Sequence, residues 1–253
     1  MNIPQLKGFI AEEIAKYHFH KLQYNVVPIG REKIEPELSD LLLFIRGNMA
    51  HLNNQSANSF KLFENTISKL PDYAIWKIAP QNQENMMTFR FVEVKYRTKV
   101  INLKHHKTKD IYYLNITEKD DQNELLVHKY INNLQNLYGI SNTNVKEIKI
   151  DNIDFYIYLI TIIDGKHTPL IGKVLSSSYS DFYVYLYTPE QLKKATNLLN
   201  LWGKDYQTVS KYFMKNDKLE QIFSDEFLVP LIGKSDSEII DSVVSYIEKG
   251  NIK

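Results

Sequence analysis

Phe89-Arg90-Phe91-Val92-Glu93-Val94-Lys95-Tyr96-Arg97 reads as a β-strand whose two faces differ in kind. Side chains alternate across a strand, so Val92, Val94 and Tyr96 point one way while Glu93, Lys95 and Arg97 point the other. The valines have a core to enter, which leaves Glu93 and Lys95 side by side on the opposite face, roughly 7 Å apart along the strand. Upstream, Tyr73 to Ile78, the polar turn Ala79 to Asn85 and Thr88 to Arg97 predict a β-hairpin. Pro71-Asp72 opens its first strand, so hairpin formation brings a second carboxylate alongside Glu93. Carboxylate oxygens are hard ligands that hold Mg²⁺ while leaving several of its waters in place, so that a phosphate oxygen can replace one. An ion held there lowers the pKa of a water and neutralises phosphate charge during in-line displacement. Lys95 is then placed to orient or deprotonate the attacking water, or to stabilise the phosphate as a point charge. The expected chemistry is phosphodiester hydrolysis with Mg²⁺ as cofactor and Mn²⁺ as substitute.

Outward from this strand, Leu6, Ile10, Ile14 and Tyr17, with Ala11, Ala15 and Phe19 as a second stripe, predict a helix from about Gln5 to Tyr24, buried on both sides. Asn25 to Ile29 reads as a short strand, and Pro36 to Arg46 and Phe60 to Leu70 as helical pieces. Leu125 to Tyr138 is helical, and Asn152 to Ile163 and Asp181 to Tyr187 are strand-like. After Pro189 the pattern is helical, with Ser235 or Ser237 capping a helix that carries Ile239, Ile240, Val243, Val244 and Ile247. The fold class is α/β (α+β), a central mixed β-sheet flanked by helices. Residues 1–189 form the core with a helical insertion at about 31–70, and residues 190–253 form a helical C-terminal extension.

Glu/Asp-x-Lys also occurs at Glu147-Ile148-Lys149, which reads as a solvated strand face, and at Asp164-Gly165-Lys166, which reads as a turn. From Lys95 to Lys109 the chain carries six Lys/Arg, two His and no acid. Arg97, Lys99, Lys104, His105, His106, Lys107 and Lys109 are therefore candidate contacts to backbone phosphates, although a solvated loop has the same composition. Glu118 to Glu124 reads as a solvated loop, and the tyrosines at 183, 185 and 187 suit packing against a helix or stacking on bases.

The whole chain of 253 residues sets the frame: 31 Lys+Arg against 30 Asp+Glu give no global case for nucleic acid, so any basic surface is local. With no Cys, disulfides, thiolate chemistry and cysteine-ligated zinc or iron–sulfur clusters are excluded. The longest apolar run, Phe155 to Ile163, is far shorter than the roughly 20 residues that cross a bilayer. The first residues lack the features of a secretory signal, so a cytoplasmic location is expected. No phosphate-binding Gly-rich loop, zinc-protease motif or Gly-x-Ser-x-Gly elbow is present.

Pro71-Asp72, a hairpin, and Phe91-Val92-Glu93-Val94-Lys95 together resemble the signature of the PD-(D/E)XK nuclease superfamily, the restriction-endonuclease-like phosphodiesterases. Many of its members carry Gly-x-x-x-Glu on a first helix, and Gly8-Phe9-Ile10-Ala11-Glu12 matches that spacing. Helical periodicity does not separate Glu12 from Glu13; the family pattern selects Glu12. The resemblance covers roughly residues 5 to 165. It implies a restriction-endonuclease-like core in which Asp72, Glu93 and the backbone carbonyl of Val94 hold metal, Lys95 is the catalytic lysine and Glu12 is a supporting acid. Gln135-Asn136-Leu137-Tyr138 is one residue short of the Gln-x-x-x-Tyr of RecB-type members, so no branch is assigned. DNA is the expected partner in a restriction, defence or repair role. A silent nucleic-acid-binding module and an RNA-directed nuclease are the alternatives, and a homodimer would suit cutting of both strands.

Overall fold

The computed structural model describes residues 1–30, 47, 71–81, 84–100, 103–107, 111–115, 144–145, 148–176, 182–186, 188 and 216–249. In chain order these form α1 (Ile3–Lys21), β1 (Asn25–Pro28), β2 (Tyr73–Gln81), β3 (Glu84–Arg97), β4 (Leu103–His106), β5 (Ile111–Asn115), β6 (Asn144–Val145), β7 (Ile148–Ile163), β8 (Lys166–Ser176) and β9 (Phe182–Leu186). Three helices follow, α2 (Asn216–Ile222), α3 (Asp225–Leu228), continued by a 3₁₀ turn, and α4 (Asp236–Lys249). The helical pieces expected at 36–46, 60–70 and 125–138, and the insertion at 31–70, lie outside the described residues.

Both ends of α1 are sealed by local chemistry. Asn2 and Gln5 cap each other's backbone N–H groups, with Pro4 in the first turn. At the other end Gln23 turns left-handed at φ 63°, its N–H reaches the carbonyl of His20, and the N–H of Tyr24 reaches that of Phe19 at 3.0 Å. This is a Schellman stop, and the rings of Phe19 and Tyr24 close it edge to face at 6.3 Å.

The sheet runs β1-β2-β3-β7-β8, mixed in sense: β3 and β7 are parallel, and the other neighbours antiparallel. The β2–β3 hairpin is longer than the periodicity predicts. Pairing continues through Ala79↔Met86 to Gln81↔Glu84, across the expected turn. Among the described residues β1 pairs with Tyr73–Trp76 alone, so Pro80 lies on a part of β2 that has β3 as its one neighbour, where a missing N–H is tolerated. Strand β7 is joined to β8 by Asp164-Gly165, with φ of 50° and 78°, between paired Ile163 and Lys166. Two positive φ values in a two-residue loop match the twist of the flanking strands, which is why Asp-Gly stands there. Strand β8, which the periodicity does not reveal, changes partner along its length: Lys166–Lys173 pairs with β7, and Val174–Ser176 with β9. Beyond β9 lie β5 and then β4, the last strand in this order among the described residues.

Two apolar layers result. On one face of the sheet Tyr73, Ile75, Val92, Val94, Tyr156, Tyr158 and Ile160 meet Leu6, Ile10, Ile14 and Phe19 of α1. Leu219, Phe223, Ile239, Val243 and Ile247 of the C-terminal helices complete this cluster, so residues 216–249 share the core of α1 and the sheet. Each such side chain contributes about 1.5–3 kcal/mol on burial. Ser235 opens α4, its N–H and hydroxyl both donating to Glu238, and Tyr17 of α1 donates to Glu248 of α4 at 3.2 Å. On the other face Ala74, Phe91, Leu159 and Leu170 meet Leu186 of β9, with Leu103 of β4 and Tyr112 and Leu114 of β5 packed alongside. Among the described residues no helix is long and apolar enough to cross a membrane.

Candidate active site

The end of the β2–β3 hairpin assembles the site. Pairing stops at Tyr73↔Val92, so one step further places Asp72 opposite Glu93, and Pro71 opposite Val94. Residues directly opposite share a face, which puts both carboxylates on the side of Phe91. The main chain of Asp72 is anchored from the other direction: its carbonyl accepts the N–H of Ile29 at 3.0 Å and that of Gly30 at 3.4 Å, just past β1.

Pro71 and Asp72 together alter what β3 presents. The N–H of Val94 points toward β2, where its Asp72 partner is a side-chain carboxylate oxygen at 2.6 Å. In a strand the N–H and C=O of one residue point to the same side, so the Val94 carbonyl also faces Asp72. The residue at the opposing register position is Pro71, which has no N–H to offer it. A main-chain oxygen and two carboxylates are thereby collected at one corner.

Lys95 completes the group. Its ammonium donates to Glu93 Oε1 and feels the charge of Asp72. On β7 the register neighbours of Glu93 and Lys95 are Ile157 and Leu159, apolar residues on the same face. Burial is the largest single influence on Lys95 and pulls its pKa down. The charge and hydrogen bond of Glu93, aided by Asp72, outweigh burial and a weaker repulsion from Arg97, so the pKa is held above the usual lysine value. Lys95 is thus an ammonium at neutral pH, suited to the point-charge role rather than to proton abstraction. The corner is open to solvent, with the Lys95 side chain 41% and that of Glu93 25% exposed.

Among the described residues no cluster of three or more His, Asp and Glu side chains forms a metal cage. The donors here are two carboxylates and one carbonyl, a sparse hard-oxygen set that fits Mg²⁺, which keeps most of its waters, better than Zn²⁺. Glu12 sits half-buried on α1; Glu13, the other acid that periodicity allows, is buried and pairs with Lys16 at 3.5 Å.

The structure divides the basic stretch. Arg97 and Lys99 are exposed where β3 ends, Arg97 donating to the carbonyl of Tyr96 at 2.9 Å. Lys104 and His105 are exposed on β4 and Lys107 just after it, on a strand separated from β3 by β7, β8, β9 and β5 in the sheet order. The His105 ring lies 4.8 Å from that of Tyr112. His106 belongs to β4, and Lys109 lies outside the described residues.

Several residues near the site were not legible in the sequence. Tyr96, directly after Lys95, packs with Phe223 at 4.7 Å and with His167 at 5.8 Å, and its hydroxyl meets His167 Nε2 at 2.9 Å. Burial first, and Lys7 second, depress the His167 pKa, with Glu220 opposing, so the imidazole stays neutral at pH 7. Lys7 Nζ stands 5.8 Å from the centre of the Tyr96 ring. Arg90 is buried on the α1 side, where its guanidinium donates to the Tyr24 hydroxyl and lies 5.6 Å and 5.1 Å from the ring centres of Tyr24 and Tyr156. An Arg inside a strand that otherwise alternates is the one signal of that cluster the sequence carries. Comparison with protein-family models, curated proteins and solved structures finds no match to the chain.

Proposed function

We propose that the protein is a Mg²⁺-dependent nuclease that hydrolyses DNA phosphodiester bonds, with a core of the restriction-endonuclease type. The observation that supports this most is the corner itself: the Asp72 and Glu93 carboxylates, the Val94 carbonyl facing Asp72 opposite a proline, and the Lys95 ammonium converge where one hairpin ends. Asp72, Glu93 and the Val94 carbonyl would hold the ion, with Glu12 as supporting acid. Bound there, Mg²⁺ supplies an acidified water and neutralises charge on the phosphate. Lys95 contributes a fixed positive charge where negative charge builds on the phosphate oxygens. Arg97 and Lys99, exposed beside it, grip neighbouring phosphates of the same strand.

Incubation with plasmid, single-stranded DNA and RNA, each with Mg²⁺, Mn²⁺ or EDTA, tests the proposal against a Glu93→Ala control. The expected outcome is metal-dependent cutting of DNA that the variant lacks. Binding without cutting under every condition would leave a nucleic-acid-binding module; cutting of RNA alone would change the substrate.

A further inference from the structure

The end of β3 is held from the face away from the corner. Pairing with β2 stops at Tyr73↔Val92, and from Lys95 to Arg97 the strand paired with β3 among the described residues is β7. Along this stretch Lys95 and Arg97 leave toward the corner, and Tyr96 between them leaves toward α1, where it packs against the core. Three other elements meet it there. Its hydroxyl lies 2.9 Å from Nε2 of His167 on β8, its ring 4.7 Å from that of Phe223 just past α2, and Lys7 of α1 stands over it. The His167 ring lies 5.2 Å from that of Phe223, so three rings form one stack, each within 31° of parallel with the other two. Among the described residues, the titratable groups that face this imidazole from neighbouring elements are the Tyr96 phenol, Lys7 and Glu220 of α2. Burial and then Lys7 favour the neutral ring, with Glu220 opposing.

We propose that the Tyr96–His167–Phe223 stack positions the corner: with the imidazole neutral it fixes the Tyr96 ring and thereby the line along which Lys95 leaves the other face of β3, and proton uptake by His167 releases it. The proposal rests on the nuclease reading and adds to it a regulation by pH that reaches the site through the sheet. His167 is a positioning residue, acting through Tyr96. The sign follows from linkage. An imidazole whose pKa is lowered in the stack takes up a proton more readily once the stack opens, so acid favours the open form as pH falls below the usual 6.5.

The test measures steady-state cleavage of plasmid DNA in saturating Mg²⁺ from about pH 8 to about pH 5, with a thermal melt at each pH, for wild type, His167→Ala and His167→Gln. At neutral pH His167→Ala should lose about tenfold in kcat with KM within about twofold, the mark of a displaced catalytic group rather than a lost substrate contact. His167→Gln, whose amide meets the Tyr96 hydroxyl without titrating, should recover most of that loss. The ratio of wild-type to His167→Gln kcat cancels the titration of every other group, and it should fall about threefold or more below pH 6.5 while both proteins stay folded. Independently of activity, the imidazole proton resonances, with His167 assigned by its loss in His167→Gln, should show it titrating below 6.5 and moving back toward 6.5 in Phe223→Leu. A kcat ratio independent of pH overturns the inference and leaves the nuclease reading standing, and so does an unchanged kcat in His167→Ala. If His167→Ala fails to fold, the His167→Gln ratio decides alone. Wild-type protein that cuts no nucleic acid removes both.

Discussion

Val92 and Val94 alternate with Glu93 and Lys95 over four residues of one backbone, yet the two sets live in different surroundings. The valines are sealed under α1 and the C-terminal helices, whereas Glu93 and Lys95 stand at an open corner with their charges paired. Alternation along one strand thus separates what holds the molecule together from what it offers to a ligand. Asp72 is the exception, because the same carboxylate that faces Glu93 also caps the backbone of Val94.

The largest effect is expected from the dry side. Val92→Asp places a charge among Ile10, Ile14 and Tyr156 and should cost about 4 kcal/mol or more, enough to abolish a cooperative melt by circular dichroism. A variant that melts normally would mean the two faces are less distinct than described. Next is Lys95→Ala, which should lower the cleavage rate about 10²–10³-fold, the range for losing one donor to a developing charge. Its midpoint should stay within about 2 °C of wild type, because the Lys95 side chain is 41% exposed and lies outside the apolar clusters; a large drop would show that the open side also carries the fold. The wild-type rate should hold through alkaline pH and fall only above the usual lysine range, since a raised pKa keeps the Lys95 ammonium there.

Asp72 sharpens the comparison. Asp72→Asn keeps an oxygen for the Val94 N–H and removes the charge, whereas Asp72→Ala removes both. Wild type should melt higher in Mg²⁺ than in EDTA, by the linkage of binding to folding, and neither variant should respond. Asp72→Ala should in addition be about 1–3 kcal/mol less stable than Asp72→Asn, the cost of an unsatisfied buried donor. Equal stability of the two would remove the capping role.

The effect that is smallest at neutral pH, and grows only in acid, lies deep on the dry side. His18 is enclosed, with Nδ1 3.4 Å from the Tyr158 hydroxyl, and burial pushes its pKa down to about 3. The unfolded chain takes up a proton near the usual 6.5 that the native state refuses, so stability falls as pH drops from 6.5 toward about 3. His18→Gln should make that acid limb shallower in a pH series of melts. An unchanged slope would place the acid sensitivity elsewhere, for example in the carboxylates of the open corner.

What was legible in the sequence follows from how local its cause is. The existence of the first helix, the strand of Glu93 and the Asp164-Gly165 turn are fixed by neighbours a few residues away, whereas the helix expected over Gln5 to Tyr24 runs Ile3–Lys21 because Asn2 caps it and Gln23 turns left-handed. The convergence of Asp72 on Glu93 was legible for the same reason, through a single hairpin. Strand β8 was hidden because Pro169 and Gly172 interrupt its apolar pattern, although the Asp-Gly turn before it announces a hairpin. Strand β4 was hidden because Lys104, His105 and His106 read as a solvated run, although Ile111 to Leu114 carried a β-rich signal for its partner. Where Phe223 and Ile239 go depends on surfaces made by distant parts of the chain, and no periodicity reports that. Glu12 against Glu13 was undecidable by spacing; in the structure Glu12 is half-buried, and Glu13 is buried and paired with Lys16.

The packing of Phe223 on Tyr96 also sets an order in time. About 125 residues of chain separate Arg97 from Phe223, and at roughly 5–20 residues per second a ribosome needs about 6–25 s to traverse them. Throughout that interval the segment of Asp72, Glu93 and Lys95 lacks the part of its dry cover that Leu219, Phe223, Ile239, Val243 and Ile247 supply. A nascent chain therefore carries the residues of the corner well before it carries the helices that hold them still. The dry face of the hairpin is completed only once residues 216–249 have been made.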